Sequence, residues 1–209
     1  KDVDAAWAAR IGLVNRVLPG PGEVLEAARE FARQVADNPP LTVQGVKQVL
    51  DADRAGKVQN GLRHVAAWNA AFLSSEDLIE RSPPSRSVAR RSSRVNNDHE
   101  ERSSTMPSLT RTGDVFVLDL GDGENRFQTD WMTAVSGMLE DVAHTEGPRA
   151  LVTTGTGKFY SNGLDLEWLQ AQDDLQFTLY VVAAHELFAK LLELPVPSVA
   201  AVQGHAFAA

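Results

Sequence analysis

The residues best placed to do chemistry lie in one short stretch, Ala150-Leu-Val-Thr-Thr-Gly-Thr-Gly-Lys-Phe-Tyr-Ser-Asn-Gly-Leu-Asp-Leu166. An apolar strand runs into a Gly-rich turn, then Phe-Tyr-Ser-Asn-Gly, then an acidic helix start. Phosphate binding is one chemistry such a turn suggests. However, Thr154-Gly-Thr-Gly-Lys158 lacks the Gly-x-x-x-x-Gly-Lys-Ser/Thr spacing that cradles a nucleotide. Asp165 and Glu167 stand where carboxylates favour the helix dipole, and for Asp165 that role competes with direct substrate contact. His185 and Glu186 fall mid-helix with no partner at metal spacing, so they read as surface or packing residues. His205 follows a second turn at Gly204. The chain has no Cys, which removes disulfides, thiolate chemistry and Cys-based metal sites.

The elements that must position this stretch follow from composition and periodicity. The chain has 209 residues, 43 % of them hydrophobic, enough for one large domain or two small ones. A net charge of −8 argues against nucleic acid or an acidic membrane surface as a partner. No apolar run reaches the length of a membrane span, and no signal peptide is visible, so a cytoplasmic location is the expectation. The chain begins with Lys and ends on Phe207-Ala-Ala, and it reads as a fragment at both ends.

Residues 1–80 read as helical. Asp4–Arg10 is Ala-rich and favours helix, Gly12 stops it, and Leu13–Leu18 is a strand-like run. After the Pro19-Gly-Pro-Gly22 breaker, Glu23–Ala36 places Val24, Leu25, Ala28, Phe31, Ala32 and Val35 on one stripe. Asn38-Pro-Pro40 ends that helix. Helices over 41–55 and 61–73 follow, with Ser75 as an N-cap for another. Residues 81–105 carry six Arg against Asp98, Glu100 and Glu101, a local charge of +3 with no apolar periodicity. That composition predicts a disordered linker; an arginine-rich RNA-binding tail is the sharper alternative. From 106 onward strands alternate with helices: Val115–Leu120, a turn at Gly121–Asn125, a helix over 129–144, strand Ala150–Thr154, a helix over 175–194 and strand Ser198–Val202. The fold class is α/β with a mostly parallel sheet.

Three landmarks in this last segment fall in one family's order. Asn125-Arg-Phe stands where that family has an Asn-Ala-Leu-type turn. Phe159-Tyr-Ser-Asn-Gly-Leu-Asp-Leu166 stands in the place of Phe-Ser-Ala-Gly-Ala-Asp-Leu. Ala201-Val-Gln-Gly-His-Ala-Phe-Ala-Ala209 matches a turn that reads Ala-Val-Asn-Gly-Tyr-Ala-Leu-Gly-Gly. The segment resembles the opening half of an enoyl-CoA hydratase/isomerase (crotonase) domain. The resemblance implies part of a crotonase (ClpP/crotonase-like) spiral and an acyl-CoA thioester substrate in fatty-acid metabolism. It implies no cofactor, since CoA belongs to the substrate, and a trimer or hexamer. It also implies an oxyanion hole of two backbone N–H groups. Those donors would be the N–H of Asn162, with Gly163, Leu164 and Asp165 around it, and the N–H of Ala209. Tyr160 would line the acyl or pantetheine channel, or simply pack.

The first segment resembles the closing part of the same family. Ala8-Ala-Arg-Ile-Gly-Leu-Val-Asn-Arg-Val17 is similar to its Ala-x-x-x-Gly-Leu-Val-Asn-x-Val strand, and helices follow. Lys47 would then approach CoA phosphates or remain a solvated helix Lys. The order is therefore inverted: 1–80 as the helical C-terminal part of one copy, 81–105 as linker, 106–209 as the N-terminal α/β part of another. The family's middle, which supplies the catalytic glutamates, is missing, so no such role passes to Glu167 or Glu186. Read-through of two neighbouring genes explains the order, with Met106 as a natural start. One frame over and with GC-rich codons, Glu80–Val95 reads as a crotonase-like tail. The expectation is a chain without turnover; the competing reading is a non-catalytic CoA-thioester-binding or subunit-assembly protein.

Overall fold

The computed structural model describes residues 3–50, 60–61, 63–65 and 106–207. Helix α1 (Ala5–Arg10) begins at Asp4, whose carboxylate accepts the Trp7 N–H at 2.7 Å, and stops before Gly12 at φ +75°. Helix α2 (Pro21–Ala36) opens with Pro at its first position, where a missing N–H costs nothing. A helical stretch covers 40–50, and 60–61 with 63–65 are helical. The expected N-cap at Ser75 and the linker 81–105 lie outside the described residues.

The strand expected over Leu13–Leu18 does not form; the chain bends there and leaves Leu13 and Val17 exposed. A strand is stable only where a neighbour takes its backbone hydrogen bonds, and none pairs with this run among the described residues.

Beyond 106 the chain forms β1 (Ser108–Thr112), β2 (Val115–Asp119), α3 (Thr129–His144), β3 (Ala150–Thr154) and β4 (Phe159–Ser161). It continues with α4 (Leu166–Gln170), α5 (Asp174–Leu192), β5 (Ser198–Ala200) and β6 (His205–Ala206). The main sheet has the order β1-β2-β3-β5, with β1 antiparallel to β2 and the other three parallel. Gly113, at φ +60°, supplies the left-handed residue that the tight β1–β2 turn requires. β4 and β6 form a separate two-stranded parallel ribbon.

The period of two along the central strands sorts side chains into two layers. Phe116 and Leu118 of β2 and Leu151 of β3 face α3 and α5, meeting Trp131, Val135, Leu139, Val142, Val181 and Leu187. Val115, Val117, Ala150 and Val152 face the other way, onto Ala28, Ala32 and Ala36 of α2. A helix from the first segment thus covers the second face of the sheet. Its buried stripe differs from the expected one: the alanines go inward while Phe31 stays 48 % exposed. The sheet face is itself built of valines and alanines, and an all-alanine ridge brings the helix backbone close to it.

α5 contains 18 residues, Leu175–Leu192, long and apolar enough to cross a membrane by length and composition, with mean hydropathy 1.2. The sequence alone suggests no such segment. Tyr180, Val181, Ala184 and Leu187 are buried against the core, so α5 serves as a core helix. Leu175, Leu179 and Val182 remain exposed along one stripe of it.

Candidate functional site

Parallel strands β2, β3 and β5 all end at the same edge of the sheet, so the three loops that follow them meet there. The loop after β2 reaches the turn after β3 through the Leu120 N–H to Thr154 O bond (2.7 Å) and the Thr156 N–H to Gly121 O bond (3.1 Å). The loop after β5 joins the same turn through the His205 N–H to Lys158 O bond (3.0 Å) and the Phe207 N–H to Ser161 O bond (2.9 Å).

The Gly-rich turn itself is packed tightly. A Cβ on Gly157 would fall 2.0 Å from the Asp122 carbonyl oxygen, and one on Gly204 would fall 2.4 Å from the Lys158 carbonyl oxygen. Two side-chain amides flank the turn. Asn125, buried and at φ +51°, turns its Nδ2 toward the carbonyls of Gly121 (3.2 Å), Phe159 (3.0 Å) and Tyr160 (3.2 Å). Gln203 accepts the Gly155 N–H at 3.2 Å and donates to Gly157 O at 3.3 Å. No helix follows the turn directly, which removes the phosphate-loop geometry.

From β4 the chain passes to residues 162–165. Gly163, at φ +73°, donates its N–H to Ser161 Oγ (3.2 Å), and its carbonyl accepts the Phe127 N–H (2.9 Å). The Asp165 N–H goes to the Tyr180 hydroxyl at 3.0 Å. The N–H groups of Asn162 and Leu164 meet no acceptor among the described residues, and both residues are half-buried. Ala209 lies outside the described residues.

Asp165 is buried and caps α4, accepting the Trp168 N–H (3.2 Å) on one oxygen and Gln128 Nε2 (3.1 Å) on the other. Arg126 adds a charge 3.8 Å away while also bonding Glu124. Through these partners Asp165 caps α4 and ties it to Gln128 and Arg126. His185 bonds the Val181 carbonyl and touches Phe188, a packing residue as expected. His205 is exposed, stacked on Phe207 at 5.6 Å and near Phe159. Lys47 is half-buried in the 40–50 helix. Among the described residues no three His, Asp or Glu side chains gather as a metal site.

Tyr160 packs against the core and shares a 2.7 Å hydrogen bond with Thr153. Burial pushes its phenol above the usual range, with the Thr153 bond working in the opposite sense. Burial likewise raises Tyr180, against a smaller opposing effect of its bond from the Asp165 N–H. These are the only two tyrosines in the chain. A spectrophotometric titration should therefore show no phenolate near pH 10, the ordinary tyrosine value. For a raised group the stabilisation is complete below the unfolded value and is lost as the pH climbs through the folded one. Phenolate absorbance and loss of circular dichroism should thus appear together, above about pH 10; a tyrosine ionising near there in a folded chain would contradict the burial.

Asn125, Gln128, Tyr180 and Gln203 were not visible as site residues from the sequence. Only Asn125 carries a signal, an Asn closing a Gly-rich turn, where a left-handed backbone is tolerated.

Comparison with known proteins bears on the same region. The family model for Enoyl-CoA hydratase/isomerase matches residues 112–209. Enoyl-CoA delta isomerase 2, peroxisomal, of Arabidopsis thaliana is 40 % identical over 112 residues, which cover 50 % of this chain and 46 % of that protein. The mitochondrial Delta(3,5)-Delta(2,4)-dienoyl-CoA isomerase of Dictyostelium discoideum is 44 % identical over 80 residues, covering 38 % of this chain and 27 % of that one. The crystal structure of an enoyl-CoA hydratase from Shewanella pealeana ATCC 700345 aligns at 28 % identity with a TM-score of 0.45, over 49 % of this chain and 40 % of that one. The chain spans less than half the length of these relatives. Through the segment 112–209 the chain matches the enoyl-CoA hydratase/isomerase family, the crotonases.

Proposed function

We propose that the 161–165 loop binds the thioester oxygen of an acyl-CoA, with the Asn162 N–H as an oxyanion donor and the Ala209 N–H as its partner. One observation carries this reading. In a loop where the neighbouring N–H groups of Gly163 and Asp165 are already bonded, the Asn162 N–H has no acceptor among the described residues. A half-buried donor without a partner costs free energy unless a ligand or water meets it. Gly163 and Leu164 then form the wall beside the oxygen, and Asp165 holds the loop through its bonds to α4, Gln128 and Tyr180. Negative charge growing on a thioester oxygen during enolate-like chemistry is what two such fixed donors stabilise.

The wider activity is that of the family, hydration or double-bond isomerisation of enoyl-CoA thioesters in fatty-acid metabolism. Two relatives at 40 % identity, both enoyl-CoA delta isomerases, favour isomerisation. Turnover also needs a proton-transferring carboxylate beside the acyl carbons, and we assign none of this chain's glutamates to that role. On that assignment the expected behaviour of this chain is thioester binding without turnover.

Titration with butanoyl-CoA, paired with crotonyl-CoA hydration and 3-enoyl-CoA isomerisation assays, tests both parts. Saturable binding without turnover is expected. Turnover would overthrow the assignment of the glutamates, and absence of binding would overthrow the oxyanion reading. In the latter case the exposed Leu175–Leu179–Val182 stripe would favour an assembly role.

A further inference from the structure

We propose that Asn125 and Gln203 are positioning residues, an amide clamp that grips the Gly155–Tyr160 turn from two sides and thereby fixes where the Asn162 N–H stands. The need for a clamp follows from the ribbon that carries the loop. β4 has three residues and, among the described residues, pairs only with the two-residue β6, with an irregular register between Phe159 and Ser161. So short a ladder does not hold its own geometry.

Asn125 ties the end of the β2 loop to both Phe159 and Tyr160, residues 34 and 35 positions away in the chain. Its orientation is dictated by chemistry. Three carbonyl oxygens surround Nδ2, and an oxygen in that place would meet only other acceptors. The amide Oδ1 is buried and meets no donor among the described residues, so the residue is set for donation alone. Its left-handed backbone is one that Asn tolerates better than most residues. Gln203 completes the grip by taking the Gly155 N–H and giving to Gly157 O. Gly155 lies between the two amides: a Cβ there would come within 2.9 Å of Gln203 Nε2 and 3.2 Å of Asn125 Nδ2. The missing side chain lets both amides reach the turn.

The functional meaning of the clamp rests on the thioester reading above, but its existence can be tested without any ligand. The measurement is hydrogen–deuterium exchange of the full chain, followed in peptides spanning 155–165 and always referred to wild type at the same pH. Asn125→Asp sets a carboxylate against three carbonyl oxygens at about pH 7.5; burial beside those acceptors raises its pKa above the ordinary value of about 3.9, so that by about pH 5 the protonated acid regains one donor. The expected result is roughly ten-fold faster exchange at neutral pH, reverting toward wild type on acidification. Unchanged exchange at neutral pH would overturn the clamp, and so would loosening that persists at low pH, since it would reflect general damage. If Asn125→Asp does not fold, Gln203→Met carries the test: faster exchange at the Gly155 N–H supports the clamp and unchanged exchange overturns it. Butanoyl-CoA titration of the same proteins separates the two ideas. A wild type that fails to bind, with the exchange contrast intact, sinks the thioester reading while supporting the clamp.

Discussion

Replacing Gly157 with alanine will destabilise the fold by about 3 kcal/mol, the upper end of what overpacking costs, and weaken thioester binding with it. The new Cβ would stand 2.0 Å from the Asp122 carbonyl oxygen, 2.6 Å from its carbon and 3.0 Å from its Cα. All three are backbone atoms, so no side chain can rotate aside. Either the turn after β3 or the loop after β2 must retreat, and both are joined through Thr156 and Gly121. The displacement passes directly to β4 and hence to Asn162. Gly137→Ala makes the matched control. Gly137 lies in α3, is exposed and has nothing within 4 Å of its missing Cβ. The same chemical change there should stabilise by about 0.5–1 kcal/mol through helix propensity. Thermal melts of the two variants should move in opposite directions. A Gly157→Ala chain that melts like wild type would show that the three loops do not meet as described.

The elements that could be read from the sequence are those whose partners are local or whose pattern repeats. α3 carries Trp131, Val135, Leu139 and Val142 at helical spacing, and all four are buried. β2 and β3 are short apolar runs bounded by turns, and they form the centre of the sheet. What escaped sequence reading depends on distant partners. Leu13–Leu18 has strand composition but no neighbour to pair with among the described residues. β4 and β6 are too short to show a pattern and exist because residues 159–161 and 205–206 meet. The candidate site divides the same way. The Phe159–Leu166 segment announces itself through its Gly-flanked, motif-like order. Asn125 and Gln203 act across chain separations of up to 48 residues, and nothing beside them in the sequence marks the contact. The cap that Asp165 makes on α4 follows from the sequence, while its bond from Gln128, 37 positions away, does not.

The first segment's place in the molecule yields the second large effect: Ala32→Asp should cost about 4 kcal/mol near neutral pH. Ala32 is completely buried between Ala28 and Ala36, facing Val115, Val117, Ala150, Val152 and Ala201. A carboxylate there has no partner and no water, so the group resists ionisation and its folded pKa rises. The penalty is greatest well above the ordinary carboxyl value and shrinks as the pH falls through the raised one, so acidification should partly rescue the variant. Gln34→Asp, two positions along on the exposed side of α2, should change stability by about 1 kcal/mol or less. Equal melting temperatures for the two variants would mean that α2 does not sit on the sheet. The consequence reaches the site because α2 packs on β5 and shares its buried cluster with Ala201, two residues before Gln203. Undocking the helix frees the end of β5, and with it one half of the grip on the Gly155 turn. Ala32→Asp should therefore weaken butanoyl-CoA binding under conditions where the sheet is still folded, and acid should restore both properties together. A helix more than a hundred residues away in sequence would then be part of what holds the Asn162 N–H in place.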